Sequence, residues 1–187
     1  MQQLLKLLLL TSLVLPGITS SIAVADQTDE RLDGLFQTLR TSEDPSVLGE
    51  TESAIWEIWY DSGREEIDAM LLEAAGLMSS GQLAEAESIY TRIIAELPMF
   101  SEGWNRRATV RYYQRDYAGS LEDIEQTLRL EPRHFGAIWG LGMILGAQRD
   151  YQRAILAFER LLEIKPHAID ARPRIELLKQ EMAKEAV

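Results

Sequence analysis

Two histidines, a run of arginines and a surplus of carboxylates are the side chains in this 187-residue sequence whose chemistry could matter. His134 and His167 lie 33 residues apart, a spacing that leaves a shared site open. Neither stands in a His/Cys/carboxylate cluster at zinc-ligand spacing. Each closely follows a proline, which fits a polar loop or a helix start. No glycine-rich phosphate loop and no nucleophile elbow occurs. Cysteine is absent, which excludes disulfides, thiol catalysis and cysteine-rich zinc sites. Among 30 acids, a chance carboxylate pair says nothing of glycosidase chemistry. The residues point away from an enzyme. They call for no cofactor and no metal, and a metal-dependent hydrolase is the remote alternative.

The arginines carry more information. Arg107, Arg111 and Arg115 follow i, i+4 spacing and form one stripe on a helix, with Arg106 beside it. Such a stripe either binds carboxylates or pairs with Glu122, Asp123 and Glu125 on a facing helix. If buried, such a pair confers specificity more than stability. The chain as a whole is acidic, with a net charge of −11. Residues 26–66 hold 12 acids and 3 bases, which reads as a solvated outer face. That field repels nucleic acid.

The elements that position these residues repeat. Pro98, Pro132 and Pro166 are spaced 34 and 34 apart. Eight residues before each proline stand Tyr90, Ile124 and Phe158; twelve before stand Ala86, Ser120 and Ala154. Twenty-four before stand Ala74, Ala108 and Gly142, and twenty-eight before stand Met70, Trp104 and Ile138. Each unit reads as two helices joined at a tight turn, at Ser80-Gly81, Arg115-Asp116 and Arg149-Asp150. One hairpin cannot bury its own apolar face, and stacking three makes a continuous core. Proline is tolerated between hairpins but not within a helix.

This pattern resembles the tetratricopeptide repeat family over about residues 67–168. The third unit fits best, with Gly142, Tyr151, Ala154, Phe158 and Pro166. The second departs at Ser120 and Ile124 and carries Arg107 and Arg111 at positions that are often apolar. Arginine just before the small residue, with an acid on the second helix, occurs in many repeats of the family, so the resemblance implies a structural Arg107–Asp123 pair. The expected fold is all-α: a right-handed α-solenoid of three hairpins, 67–100, 101–134 and 135–168. An acidic helical hairpin over 26–66 is expected to stack on the first repeat. Residues 169–187 read as a capping helix, with Ile175, Leu178 and Met182 at helical spacing and Pro173 in the first turn.

The resemblance implies that the first helix of each hairpin lines a concave groove. In that register the groove shows Leu71, Ala75 and Met78, then Asn105, Thr109, Tyr112 and Tyr113, then Trp139, Met143 and Gly146. Asn105, Thr109, Tyr112, Tyr113, Trp139 and Met143 are the candidate contacts to a peptide or protein, and Gly146 would admit a ligand backbone. The lysine–asparagine clamp that one subgroup uses for a terminal carboxylate is absent, since Leu71 and Ala75 stand in its place. The implied role is a non-enzymatic interaction scaffold for an unidentified protein or peptide; self-association into a homo-oligomer is the alternative.

Residues 1–25 read as an export leader. Lys6 supplies the charge, Leu7 to Leu15 the apolar run, and Ala23-Val24-Ala25 the small-x-small site, with cleavage after Ala25. The run is too short to span a bilayer. The expectation is an exported, periplasmic protein with no integral membrane span.

Overall fold

The computed structural model describes residues 27–185, and among them every regular element is a helix. The leader and its cleavage point lie outside the described residues. The order is α1 (Arg31–Thr41), α2 (Pro45–Tyr60), α3 (Glu65–Ser79), α4 (Leu83–Glu96), α5 (Ser101–Tyr113), α6 (Tyr117–Leu130), α7 (Phe135–Ala147), α8 (Tyr151–Ile164) and α9 (Ala171–Glu185). From α3 to α9 each helix packs on the next, which makes an α-solenoid of helical hairpins. None of the described helices is long and apolar enough to cross a membrane.

The three repeat hairpins turn in the same way. The backbone N–H groups of Gln82, Asp116 and Asp150 each donate across the turn, to the carbonyls of Leu77, Arg111 and Leu145, all at 2.9 Å. This closure places one residue in the left-handed region: Gly81 at φ 79°, Arg115 at 65° and Arg149 at 63°. Asp116 and Asp150 then start the second helix by accepting from the N–H groups of Gly119 and Arg153.

The small residues set how closely the two helices approach. A Cβ on Gly142 would lie 2.7 Å from the Phe158 ring, so only glycine fits there. Ser120 departs from alanine because its hydroxyl donates to the Ala108 carbonyl at 2.7 Å, which satisfies it inside the hairpin. At the junctions, the Trp104 indole N–H donates to the Pro98 carbonyl at 2.9 Å.

The N-terminal hairpin does not stack on the first repeat as expected. It lies along the edge where successive repeats join. Gln27 donates to the Met99 carbonyl at 2.6 Å, Asp33 pairs with Arg133 at 2.6 Å, and Glu52 pairs with Lys165 at 2.5 Å. The reason is apolar area. Phe36, Trp56 and Trp59 need a large home, and Phe135, Ile138, Phe158 and Leu161 provide one. The outer side of α3 offers only Ala69, Leu72 and Gly76, which stay exposed. α9 covers α8 through Ile175 and Leu178, while Met182 remains 43% exposed rather than completing the buried stripe. Gly146 faces α9 rather than a ligand: a Cβ there would lie 3.2 Å from Leu178.

Two glycine-to-alanine changes should part company in urea unfolding. Gly142→Ala should destabilise by roughly 1–3 kcal/mol through overpacking against Phe158. Gly34→Ala, with nothing within 4 Å of its new methyl, should stabilise by roughly 0.5–1 kcal/mol. Equal effects at the two sites would contradict this packing.

Candidate functional site

The polar groups at the second junction are buried together. Glu102 has no exposed surface, and neither has His134. The carboxylate is held by Asn105 Nδ2 at 2.9 Å, Arg106 Nε at 2.5 Å and His134 Nε2 at 3.0 Å. His134 is the helix-start residue of α7, its Nδ1 accepting from the Ala137 N–H at 3.2 Å. It is no loop residue in solvent, because its ring stacks on Trp59 at 4.1 Å and 9°. Trp59 is the missing information: it arrives from α2, outside the repeats. Burial pushes the Glu102 carboxyl above its usual range, and His134 and Asn105 oppose the shift. The Tyr90 hydroxyl is pushed up to about 12, by burial first and then by the charge on Glu102. His167 lies apart from this cluster, exposed at the α8–α9 junction beside Pro45 and Leu48.

The arginine stripe is internal. Arg107 forms two parallel bonds with Asp123, Nε to Oδ2 at 2.9 Å and Nη2 to Oδ1 at 2.7 Å. Its third nitrogen donates to Thr91 at 3.2 Å. Arg111 pairs with Glu87 at 2.8 Å and with Asp123 at 3.1 Å. Both guanidiniums tie α5 to its neighbours and are not presented as a carboxylate-binding strip. Arg115 has left the stripe for the left-handed turn position, and Arg106 points the other way, 4.6 Å over the Tyr60 ring.

Between α5 and α7 lies a pocket of about 240 Å³. Asn105, Thr109, Tyr112, Tyr113, Trp139 and Met143 all line it, and Ala108, Ile124, Ala137 and Ile144 form apolar wall. No lining side chain is charged. Each wall is fixed from behind. Asn105 is held by Glu102, and the Thr109 hydroxyl donates to the Asn105 carbonyl at 2.9 Å. Tyr112 packs on Tyr117 at 5.8 Å, and Trp139 meets Phe158 edge-on at 5.0 Å. Tyr113 is 60% exposed at the mouth.

The first repeat adds nothing to this pocket. Leu71 is buried in the core with Ile67 and Tyr90, and Met78 packs against the same cluster. Gly136, Ala137, Gly140 and Ile144, all on α7, escape sequence reasoning as wall positions. A Cβ on Gly136 would lie 2.9 Å from Trp56, so α2 closes that end of the groove. A second hollow continues past it, with Trp139 shared and Glu52, Trp56 and Lys165 beyond. The signal available in the sequence was the Gly136/Gly140 spacing of one helical turn.

The description "Tetratricopeptide repeat" belongs to the family model that matches residues 105–169. A TPR repeat-containing protein of Rhizobium etli is 34% identical over 154 residues, covering 82% of this chain and 76% of the relative. Solved structures share the fold at lower identity. The first TPR of Spaghetti (RPAP3) bound to an HSP90 peptide is 20% identical with a TM-score of 0.60, over 63% of this chain and 93% of that one. The Sgt2 TPR domain from Aspergillus fumigatus is 20% identical with a TM-score of 0.61, over 66% and 83%.

The buried carboxyl has a pH signature. An acid whose folded-state pKa is raised stabilises the fold fully below its unfolded pKa and loses that contribution as pH rises through the folded one. Glu102→Gln removes the titration. Relative to that variant, the wild type should lose stability as pH rises above the ordinary carboxyl value of 4.5. Parallel stability–pH curves for the two proteins would contradict a buried, perturbed Glu102.

Proposed function

This chain belongs to the tetratricopeptide repeat family, and from that premise we propose that it is a non-enzymatic scaffold that holds a partner protein or peptide at the α5–α7 pocket. The observation that carries this reading is convergence. Six side chains from two repeats, none of them charged, meet around one pocket whose walls are fixed by internal packing. A fixed neutral pocket with aromatic walls suits an apolar side chain of a partner, because little ordering accompanies binding. The HSP90 peptide on Spaghetti supports a peptide as the class of ligand. A terminal carboxylate is not the anchor proposed for this chain, since no lining side chain is cationic.

The proposed place of action is the bacterial cell envelope after export. Lys6, the apolar run from Leu7 and the Ala23-Val24-Ala25 site support that reading. Self-association is a second reading. It is favoured by the apolar side chains that stand out near the two ends of the stack, Leu72 at 77% and Ile169 at 87% exposed.

Affinity capture from envelope extracts tests the first reading. The double variant Tyr112→Ala/Trp139→Ala should lose the captured partner, each aromatic contributing on the order of 2 kcal/mol or about thirtyfold. Undiminished capture with an unchanged circular-dichroism spectrum would refute the pocket. A concentration-independent monomer in light scattering would remove self-association.

A further inference from the structure

Advancing the ionic set around Arg107 by one repeat changes its chemistry. Glu87, Arg107, Arg111 and Asp123 become Leu121, Leu141, Leu145 and Ala157, each 34 residues on. In the α4–α6 seam the four charged side chains bond one another across α5. In the α6–α8 seam their four counterparts line an open trough of about 760 Å³. Leu128 and Leu156 extend it, and Leu156 is 57% exposed. The trough runs on the other side of α7 from the pocket: Leu141 and Leu145 face it, whereas Trp139 and Met143 face the pocket. The same place in the fold is closed by ions in one repeat and left apolar in the next.

The rim is cationic. Arg129, Arg153 and Arg160 border the trough, and Glu125 is the one acid among its lining residues, in a chain whose net charge is −11. Arg129 pairs with Glu125 at 2.9 Å, Arg153 pairs with Asp150, and Arg160 donates to the Pro132 carbonyl at 3.0 Å. All three are exposed, and a guanidinium has five donors, so each keeps N–H groups for a further acceptor.

We propose that the α6–α8 trough is a second docking surface, for an acidic amphipathic helix of a partner protein. The partner's apolar side chains fill the trough, and its carboxylates meet the three arginines. Charge decides against a second copy, because two-fold pairing of this face would set the same three arginines against one another. The chain's own acidic helices offer no such face, since α1 and α2 bury theirs along the repeat junctions.

The test uses the full chain and a fluorescently labelled designed helical peptide. It carries leucine at i, i+3, i+4 and i+7 with glutamates flanking the stripe; a twin carries lysines instead. Fluorescence anisotropy at low salt should show the glutamate peptide binding at least about tenfold more tightly than the twin. Leu156→Asp, at an exposed position, should weaken it by about tenfold, and Arg160→Glu should narrow the preference. Tyr113→Ala should change nothing, which separates this surface from the pocket. Absent or equal binding of the two peptides, or indifference to Leu156→Asp, would overturn the proposal. So would a sedimenting dimer that Leu156→Asp dissolves, which would assign the face to a second copy.

Discussion

A two-helix hairpin has more apolar surface than it can bury alone, and the whole structure follows from meeting that need at a fixed period. Residues 34 apart meet equivalent neighbours, so a side chain's type at a register position sets what that neighbourhood can do. The tolerance is narrow where helices touch. Gly142 admits the Phe158 ring only because it has no Cβ, and Ser120 is accepted only because the Ala108 carbonyl takes its proton. Where the helices diverge, the same period allows wide chemical change.

The acidic N-terminal hairpin is tied into this array through apolar packing outside the repeat pattern, and its Trp59 also covers a buried polar cluster. His134 stands between the Glu102 carboxylate and the Trp59 ring, so the start of α7 is fixed from both sides. Asn105, one turn along α5, is fixed by the same carboxylate. Burying an ionisable group costs stability unless its bonds are complete. Here the Glu102 carboxylate has three partners, and the return is a pocket whose two walls hold their positions before anything enters.

Much of this was legible because repetition writes contacts at fixed sequence separations. The prolines set the register, the register set which face of α5 and α7 looks outward, and Asn105, Thr109, Tyr112, Tyr113, Trp139 and Met143 do share one pocket. The Arg107–Asp123 pair was readable from the family resemblance and not from this chain's own repetition, since Leu141 and Ala157 stand one repeat on. What repetition cannot write is where a non-repeated segment lands. Trp56 and Trp59 mark a buried helix face, yet nothing in their spacing says that Phe135 and His134 receive them. The burial of His134, the closed end of the groove at Gly136 and the covering of Gly146 by Leu178 all depend on flanking helices. Leu71 misleads for another reason: an apolar side chain at that register position is buried in the core of the first repeat with Ile67, Tyr90 and Phe100.

The central claim is that the α5–α7 pocket is occupied by a partner. Site-specific photocrosslinking in living cells tests it most directly, with a benzophenone side chain replacing Tyr113 at the pocket mouth or Glu122 on the exposed side of α6. The account predicts a discrete adduct from position 113 that is missing from position 122. Adducts of equal yield at both positions, or none at 113 while the protein is folded and abundant, would contradict it.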